Sequence, residues 1–481
     1  MKCTHLIIIG LVSVCTVSAR VINVPQDYPT IQAAINAAVD ADEIIVDAGT
    51  YIENIDFSGK NITVRSASGR DETIIDGDAS GSTVLIINEE NENAILDGFT
   101  ITNGSGWYNG QQLIGGGILV RDGSSPTLRN LTITNNTAVT GDEGSGGGIC
   151  ISYGSTPSLD NIIVSNNTAG WGGGMAIVFA SPTLNDVKIV ENNANTTGGG
   201  MYIGDYSHPT IERLTVTKNI AEYYAGGIFL NNNSYPNLYN LTVAENECSS
   251  GGGGMVVSHN SHPFIVSSIF WWNEPDQILL YDLGEFQPNT ITVSFSDIQD
   301  GWWGIGLGDG SVNWIEGNST DDPLFIYNSC PIGDNTCTSH PYHEDNYNLL
   351  AGSPCIGTGA DGVDMGAGEY CLTLTTDPTL ENLPQLLELY QNFPNPFNPS
   401  TSIKYNIAED GLVTLVIFDL KGQEIATLAH GQKTSGLHTI TWLAQDQAGN
   451  NLEAGIYLYK MKFTGSSGDY FQSVRKFTLL K

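Results

Sequence analysis

Between roughly residues 94 and 300 the apolar side chains fall at every second position in short runs. "LTITNN", "VKIVENN" and "LTVTKN" are typical. Period two is the signature of a strand with one buried face. β-Branched residues are plentiful in these runs and strong helix formers are sparse, which favours strand further. The runs recur. The residue after each glycine cluster is Ile118, Ile149, Met175, Met201, Ile228 and Met255, at steps of 31, 26, 26, 27 and 27. A proline follows in each unit (Pro126, Pro157, Pro182, Pro209, Pro236, Pro263), and an asparagine closes it (Asn136, Asn167, Asn192, Asn219, Asn246, Asn273). A unit of this length holds three short strands and three turns and cannot bury its own apolar face. It must stack on copies of itself. The pattern therefore predicts an all-β parallel β-helix whose coils rise by about 4.8 Å, the spacing of neighbouring strands.

Each marker has a reason. Glycine serves a corner that needs positive φ and no side chain. Proline opens a strand where no ladder N–H is required. An asparagine repeated at one corner can stack its amide on the next and bond the turn backbone, so the six form an expected structural ladder. The 31-residue step is a coil with "TAVTGDEGS" (137–145) inserted. At the start, "PTIQAAINAAVDADEIIVDAGTY" predicts an amphipathic helix from Ile31 to Val39 that plugs the open end of the stack. "EIIVDAGTY" is expected as the first strand, and exposed strand edges there would otherwise invite aggregation.

The opening "VPQDYPTIQAAI…EIIVDAGTY", the "LDGFTITNG" and "GGGI" coils and the closing "DDPLF…YNLLAGSPCIGTGADGVDMGAGEY" resemble the right-handed parallel β-helix proteins of the pectin-lyase-like superfold. The resemblance implies the fold over 20–372. It implies no single activity, because that fold serves lyases, hydrolases, esterases, epimerases and noncatalytic adhesins.

After Cys371 the style changes. Residues 373–385 read as a linker. Residues 386–481 show seven or so strand signals separated by turns such as "KG" and "AGN", which predicts a small C-terminal β-sandwich of immunoglobulin type. "YQNFPNPFNPSTSIKY", "IFDLKGQEIATL", "GLHTITW", "AGIYLYKM" and "KFTLLK" resemble the C-terminal sorting domain of the bacterial type IX secretion system. That resemblance implies the type IX machinery as partner, passage through the outer membrane, and either release or attachment at the cell surface.

Charge sharpens the picture. Residues 20–383 carry nine basic and 44 acidic side chains, a net of −35, whereas 384–481 carry eight of each. No Lys or Arg occurs between Asn219 and Ile403. Nucleic acid is excluded as a partner, since its phosphates need basic neighbours. A polyanionic substrate is awkward unless calcium bridges it, which makes calcium the one cofactor to consider. The first 19 residues, with Lys2, the apolar run Leu6–Val14 and Val17-Ser18-Ala19, read as an export signal too short to span a bilayer. No later stretch is long and apolar enough for a membrane helix. Export permits disulfides, and Cys330–Cys337 and Cys355–Cys371 are the plausible pairs.

Candidate chemistry is thin. The coil register sets Arg129 one coil from Asp160, Asp186 one coil from Arg213, and Lys218 between Glu191 and Glu245. These read as ladder pairs before they read as catalysts. Arg121 and Lys188 have no register-matched acid. Asp122, Asp160, Asp186 and Asp205 share no column, so the convergent carboxylates of a glycosidase are not assembled. "DGDASG" (76–81) lacks the spaced acids of a calcium loop. His208 and His262 lie two coils apart, too far to share a metal, and no metal site is predicted. The outward column through Leu119, Cys150, Ala176, Tyr202, Phe229 and Val256 is the candidate binding face. Its aromatics Tyr202 and Phe229 would either stack sugar rings or lie under a loop. The expected function is an exported, noncatalytic glycan- or matrix-binding surface protein. The alternative is a polysaccharide lyase or glycoside hydrolase on the same fold.

Overall fold

A computed structural model of the chain describes residues 19–139, 141–281, 288–308, 310–325, 347–350, 353–368, 388–389, 392, 397, 399–407, 410–418, 423–434, 436–447, 450, 452–465 and 470–479. Two compact units are present, divided between Cys371 and Leu372. Residues 1–18 of the expected export signal, Cys330, Cys337, Cys371 and the 373–385 linker lie outside the described residues.

The first unit is a parallel β-solenoid. One representative coil runs Met175–Val178, Thr183–Val190 and Asn193–Thr197, and the next runs Met201–Gly204, Thr210–Thr217 and Ile220–Ala221. Like strands pair in parallel from coil to coil, forming sheets of seventeen, ten and five strands among the described residues. The register holds residue by residue. Ile118, Ile149, Met175, Met201, Ile228 and Met255 are successive partners and are all wholly buried in the bore. A second bore column is Leu128, Leu159, Leu184, Ile211 and Leu238. Each eight-residue strand kinks through a left-handed residue at one fixed place: Asn130, Asn161, Asp186, Arg213 and Asn240.

The corner asparagines form one continuous buried ladder. Asn136 donates its amide to Asn167 Oδ1 (3.0 Å), Asn167 to Asn192 (3.0 Å), Asn192 to Asn219 (2.9 Å), Asn219 to Asn246 (2.9 Å) and Asn246 to Asn273 (2.9 Å). Asn273 ends it on Gln277 Oε1 at 2.8 Å. Each carbonyl oxygen from Asn167 to Asn273 also accepts the backbone N–H of the preceding asparagine, so side-chain amides satisfy corner groups that no sheet reaches.

The glycine corners divide their labour. Gly172 sits at φ +61°, which a side chain resists, while Gly173 and Gly174 face the next coil at backbone contact. A Cβ on Gly174 would stand 2.7 Å from Gly200 O, and one on Gly173 would enter the carbonyls of Asn193 and Gly199. Gly173→Ala is therefore expected to destabilise by about 2–3 kcal/mol through overpacking against backbone that cannot move. A thermal melt equal to that of the parent chain would contradict this.

A strand, Val21–Val24, precedes the helix and pairs with Glu43–Val46, so the first strand begins earlier than the sequence pattern indicates. The helix runs Ile31–Ala37 and buries Ile31, Ala34 and Ile35. Thr30 caps it by accepting from Ala33 N (3.1 Å), and the Glu53 carboxylate accepts from Ile31 N and Gln32 N (2.8 Å each). Both devices suit the positive end of a helix dipole. A small hairpin, Trp107–Tyr108 with Leu113–Ile114, is an addition the alternation did not announce.

Among the described residues the second unit has seven strands in two antiparallel sheets. Glu388–Leu389, Ser400–Ile407 and Gly436–Leu443 form one. Gly411–Phe418, Glu424–Lys433, Gly455–Gly465 and Tyr470–Leu479 form the other. Its core is rich in rings, including Phe397, Tyr405, Tyr459, Phe463 and Phe477, and Tyr459 Oη accepts from Asn392 N at 2.8 Å. No helix among the described residues is long and apolar enough to cross a membrane.

Candidate functional site

Ile118 and Val120 point into the bore, so Leu119 and its column point out, yet that column is covered. Leu119, Cys150 and Ala176 pack under Ile114 and Trp107 of the hairpin, and Phe229 and Val256 pack with Ala225, Tyr224 and Tyr281. Phe229 is 8% exposed. Tyr202 is half-buried and stacked between Trp171 (6.2 Å) and Phe229 (5.8 Å). Burial pushes its hydroxyl up to about 12, against a hydrogen bond from Asn231. Of the two expectations for Tyr202 and Phe229, the covered arrangement is the one the structure adopts.

The ion pairs also differ from the register reading. Arg129 is in register with both Asp97 and Asp160, and its guanidinium takes Asp97 Oδ2 at 2.8 Å. Asp160 instead accepts the Asn185 amide at 2.5 Å. Arg213 lies 3.4 Å from its sequence neighbour Glu212, because Asp186 and Arg213 occupy the left-handed kink and diverge from the sheet. Arg121 finds Asp122 beside it (2.9 Å) and lies over the rings of Trp107 (5.1 Å) and Tyr153 (5.0 Å). Asp76 of the "DGDASG" turn accepts from Asp78 N and from Asn103 Nδ2, an ordinary Asx turn. Among the described residues no group of three or more His, Cys, Asp or Glu is placed to hold a metal ion.

A different row of aromatics is exposed. Tyr153, Phe179 and Tyr206 sit in the turn between the ten-stranded and the seventeen-stranded sheets, one per coil, with ring centroids 6.1 and 6.4 Å apart. They remain 52%, 45% and 58% exposed. Beside Tyr206 a second row begins: His208, Tyr235 and His262, each preceding a proline, with centroids 4.9 and 5.2 Å apart and rings nearly parallel. Tyr235 and His208 are exposed and His262 is half-buried. Asn260 bridges this row, donating to Tyr235 Oη (3.3 Å) and facing His262 Nε2 (3.0 Å).

The backbone under the first row is costly. Tyr153, Phe179 and Tyr206 all adopt left-handed conformations, at φ +51°, +52° and +59°. Asn or Gly holds such a turn cheaply, and the same turn in the following coils is made by Asn232–Asn233 and His259–Asn260. A bulky ring there costs about 1 kcal/mol. The strain does not secure burial, since about half of each ring stays in water. The sequence signal was present: Tyr153, Phe179 and Tyr206 recur at steps of 26 and 27, and "SHP", "SYP" and "SHP" recur at 27.

The second candidate lies at the last coils. A cleft of about 420 Å³ is lined by Gly317–Asp321 on one side and by Pro354, Thr358 and Met365 on the other. Behind it Asp297, the bridge partner of Ser319, is wholly buried. Its Oδ2 accepts from the Cys355 thiol at 3.1 Å, and its Oδ1 has no hydrogen-bond partner among the described residues. Burial first, then the nearby Asp321 and Asp322 charges, push this carboxyl up to about 7, against the Cys355 hydrogen bond. Burial also pushes the Cys355 thiol up, and Cys150, Cys248 and Cys355 are all buried thiols.

Residues 42–237 match the profile of the right handed beta helix region family, and residues 399–467 match that of the FlgD Ig-like domain. The chain is thus a right-handed β-helix followed by an Ig-like β domain. Solved structures similar to it include latent PorU from Porphyromonas gingivalis (19% identity over 21% of this chain and 10% of that chain, TM-score 0.18). Pectin methylesterase PemA from Erwinia chrysanthemi follows at 11% identity over 58% of this chain and 79% of that one, TM-score 0.25. The enzymatically active domain of bacteriophage CBA120 tailspike protein 4 is similar at 9% identity over 91% and 64%, TM-score 0.31. The chain spans about a tenth of the PorU chain's length. No curated protein matches it.

Proposed function

We propose that this chain is an exported bacterial surface or secreted protein whose β-helix binds glycan without chemistry, and that its C-terminal Ig-like domain is the type IX sorting signal. The observation that carries the binding reading is the strained, exposed aromatic row Tyr153–Phe179–Tyr206. Rings held at an energetic cost and left half in water suit a partner that covers them, and pyranose C–H faces are such a partner. The sorting reading is supported by the tail motifs quoted above and by a β domain with a ring-rich core of its own. A glycan array probed with the exported chain tests the first reading, and no binding to any glycan would sink it. For the second, deletion of 386–481 is expected to trap the protein in the periplasm, and surface display of the truncated chain would refute it.

One observation favours the catalytic alternative: Asp297, a carboxyl that titrates near neutrality behind a cleft. Release of unsaturated products or reducing ends from a polysaccharide panel, with and without calcium, and its loss in Asp297→Asn, would decide for a lyase or hydrolase.

A further inference from the structure

Two short aromatic rows meet at one turn. Tyr153, Phe179 and Tyr206 occupy three successive coils, and His208, Tyr235 and His262 continue over two coils more from the turn that carries Tyr206. The ring path shifts sideways by two residues at that turn, from Tyr206 to His208. It crosses five coils, about 19 Å at the strand spacing. It is one ring wide and runs along the solenoid axis. A new ring comes at every coil, close to the advance of an extended chain of pyranose units.

The electrostatics around the path are equally specific. The guanidinium at its head, that of Arg121, lies 2.9 Å from Asp122 and over the Trp107 and Tyr153 rings. Asp205 lies beside Tyr206, where it accepts the Asn232 amide at 2.6 Å. The chain from Asn219 to Ile403 has no Lys or Arg with which to hold a carboxylate or sulfate. Besides the Asp205 carboxylate and the His208 and His262 imidazoles, the polar groups along the path are the Tyr206 and Tyr235 hydroxyls and the Asn233 and Asn260 amides.

We infer that the two rows form one continuous site for an uncharged, linear glycan lying parallel to the helix axis, of about five sugar units. This rests on the glycan-binding reading above and adds the charge, shape, direction and length of the ligand.

Calorimetry on the full chain with cello-, xylo- and manno-oligosaccharides of two to eight units tests it, with oligogalacturonates of equal length as the charged series. The expected result is that at least one uncharged series binds, gains affinity with each unit up to about five, and then levels off. Phe179→Asn is the informative variant of the first row. Asparagine relieves the left-handed turn, so this variant is expected to melt no lower than the parent, yet to lose about tenfold in affinity. Tyr235→Ala in the second row is expected to lose a similar factor for hexamers and little for dimers. The inference is overturned by tighter binding of the charged series, by affinity independent of length, or by hexamer binding that ignores Tyr235→Ala. Those outcomes leave glycan binding itself intact. Failure of every glycan on the array would instead remove the broader reading.

Discussion

Replacing Asn192 by alanine is expected to lower the stability of the β-helix by about 3–5 kcal/mol, more than any surface change on the coils. The amide is wholly enclosed and makes five bonds. Its Oδ1 accepts Asn167 N and Nδ2 (3.0 Å each), and its Nδ2 donates to Val164 O (3.0 Å), Val190 O (3.1 Å) and Asn219 Oδ1 (2.9 Å). Alanine strands the Asn167 N–H and takes the side-chain donor from Val164 O and Val190 O, of which Val190 O keeps the Asn166 N–H, and each buried orphan costs about 1–3 kcal/mol. Because coils contact only their neighbours, the damage is expected to be local. Hydrogen exchange should quicken in the coils around residues 164–219 and leave the Ig-like domain unchanged. Uniform exchange, or a denaturant midpoint like that of the parent, would show that the ladder is ornament. Asn192→Asp is expected to be no better, since it sets a charge among carbonyl oxygens.

The second large effect concerns pH. In the folded chain the Asp297 carboxyl titrates at about 7, above its ordinary 3.8, chiefly because it is buried. A folded value above the unfolded one means that the favourable contribution is complete below about pH 4 and is lost as pH rises through 7. The difference corresponds to a loss on the order of 4 kcal/mol between pH 4 and pH 8. Asp297→Asn abolishes the titration. It is expected to flatten the pH dependence and to be the more stable chain at pH 8, with the gain localised to the coil of Asp297–Ile298 and the segment 353–356 that packs on it. Chemical denaturation of both chains at pH 5 and pH 8 measures this, and an equal slope in the two would mean that Asp297 is not the titrating group. Cys355, whose thiol is also pushed up by burial, is expected to react slowly with iodoacetamide at pH 8 in the parent chain.

Much of the architecture was legible before any coordinates, for a physical reason. A solenoid repeats one short problem, so each solution recurs at a fixed step. The inward column Ile118 to Met255, the glycine corners and the asparagine corner are all set by contacts one coil away, and one coil is a constant distance in sequence. Period two then assigns inside and outside. The helix, expected over Ile31–Val39 and ending at Ala37, was visible because its apolar stripe is local, as were the alternating strands of the Ig-like domain.

What the sequence could not decide was which outward surfaces stay outward. Alternation marks Leu119, Tyr202 and Phe229 as pointing away from the bore, and they do. The hairpin at Trp107–Ile114 and the side chains Tyr224 and Tyr281 then cover them, and these arrive from other coils. The exposed rings Tyr153, Phe179 and Tyr206 sit instead at a left-handed turn, where neither strand alternation nor turn chemistry leads one to look for an aromatic. Partner choice among charges was open for the same reason. Arg129 had a register-matched acid on both sides, and side-chain direction, not spacing, gave it Asp97. The raised titration of Asp297 comes from its burial, with Asp321 and Asp322 adding to it, and the Cys355 thiol that reaches it comes from far along the chain. Sequence by itself determined the repeat, its corners and its buried columns, because those are near-neighbour interactions. The tertiary structure decided what is covered, what is strained and what is left exposed to meet a ligand, because those depend on segments far apart in the chain.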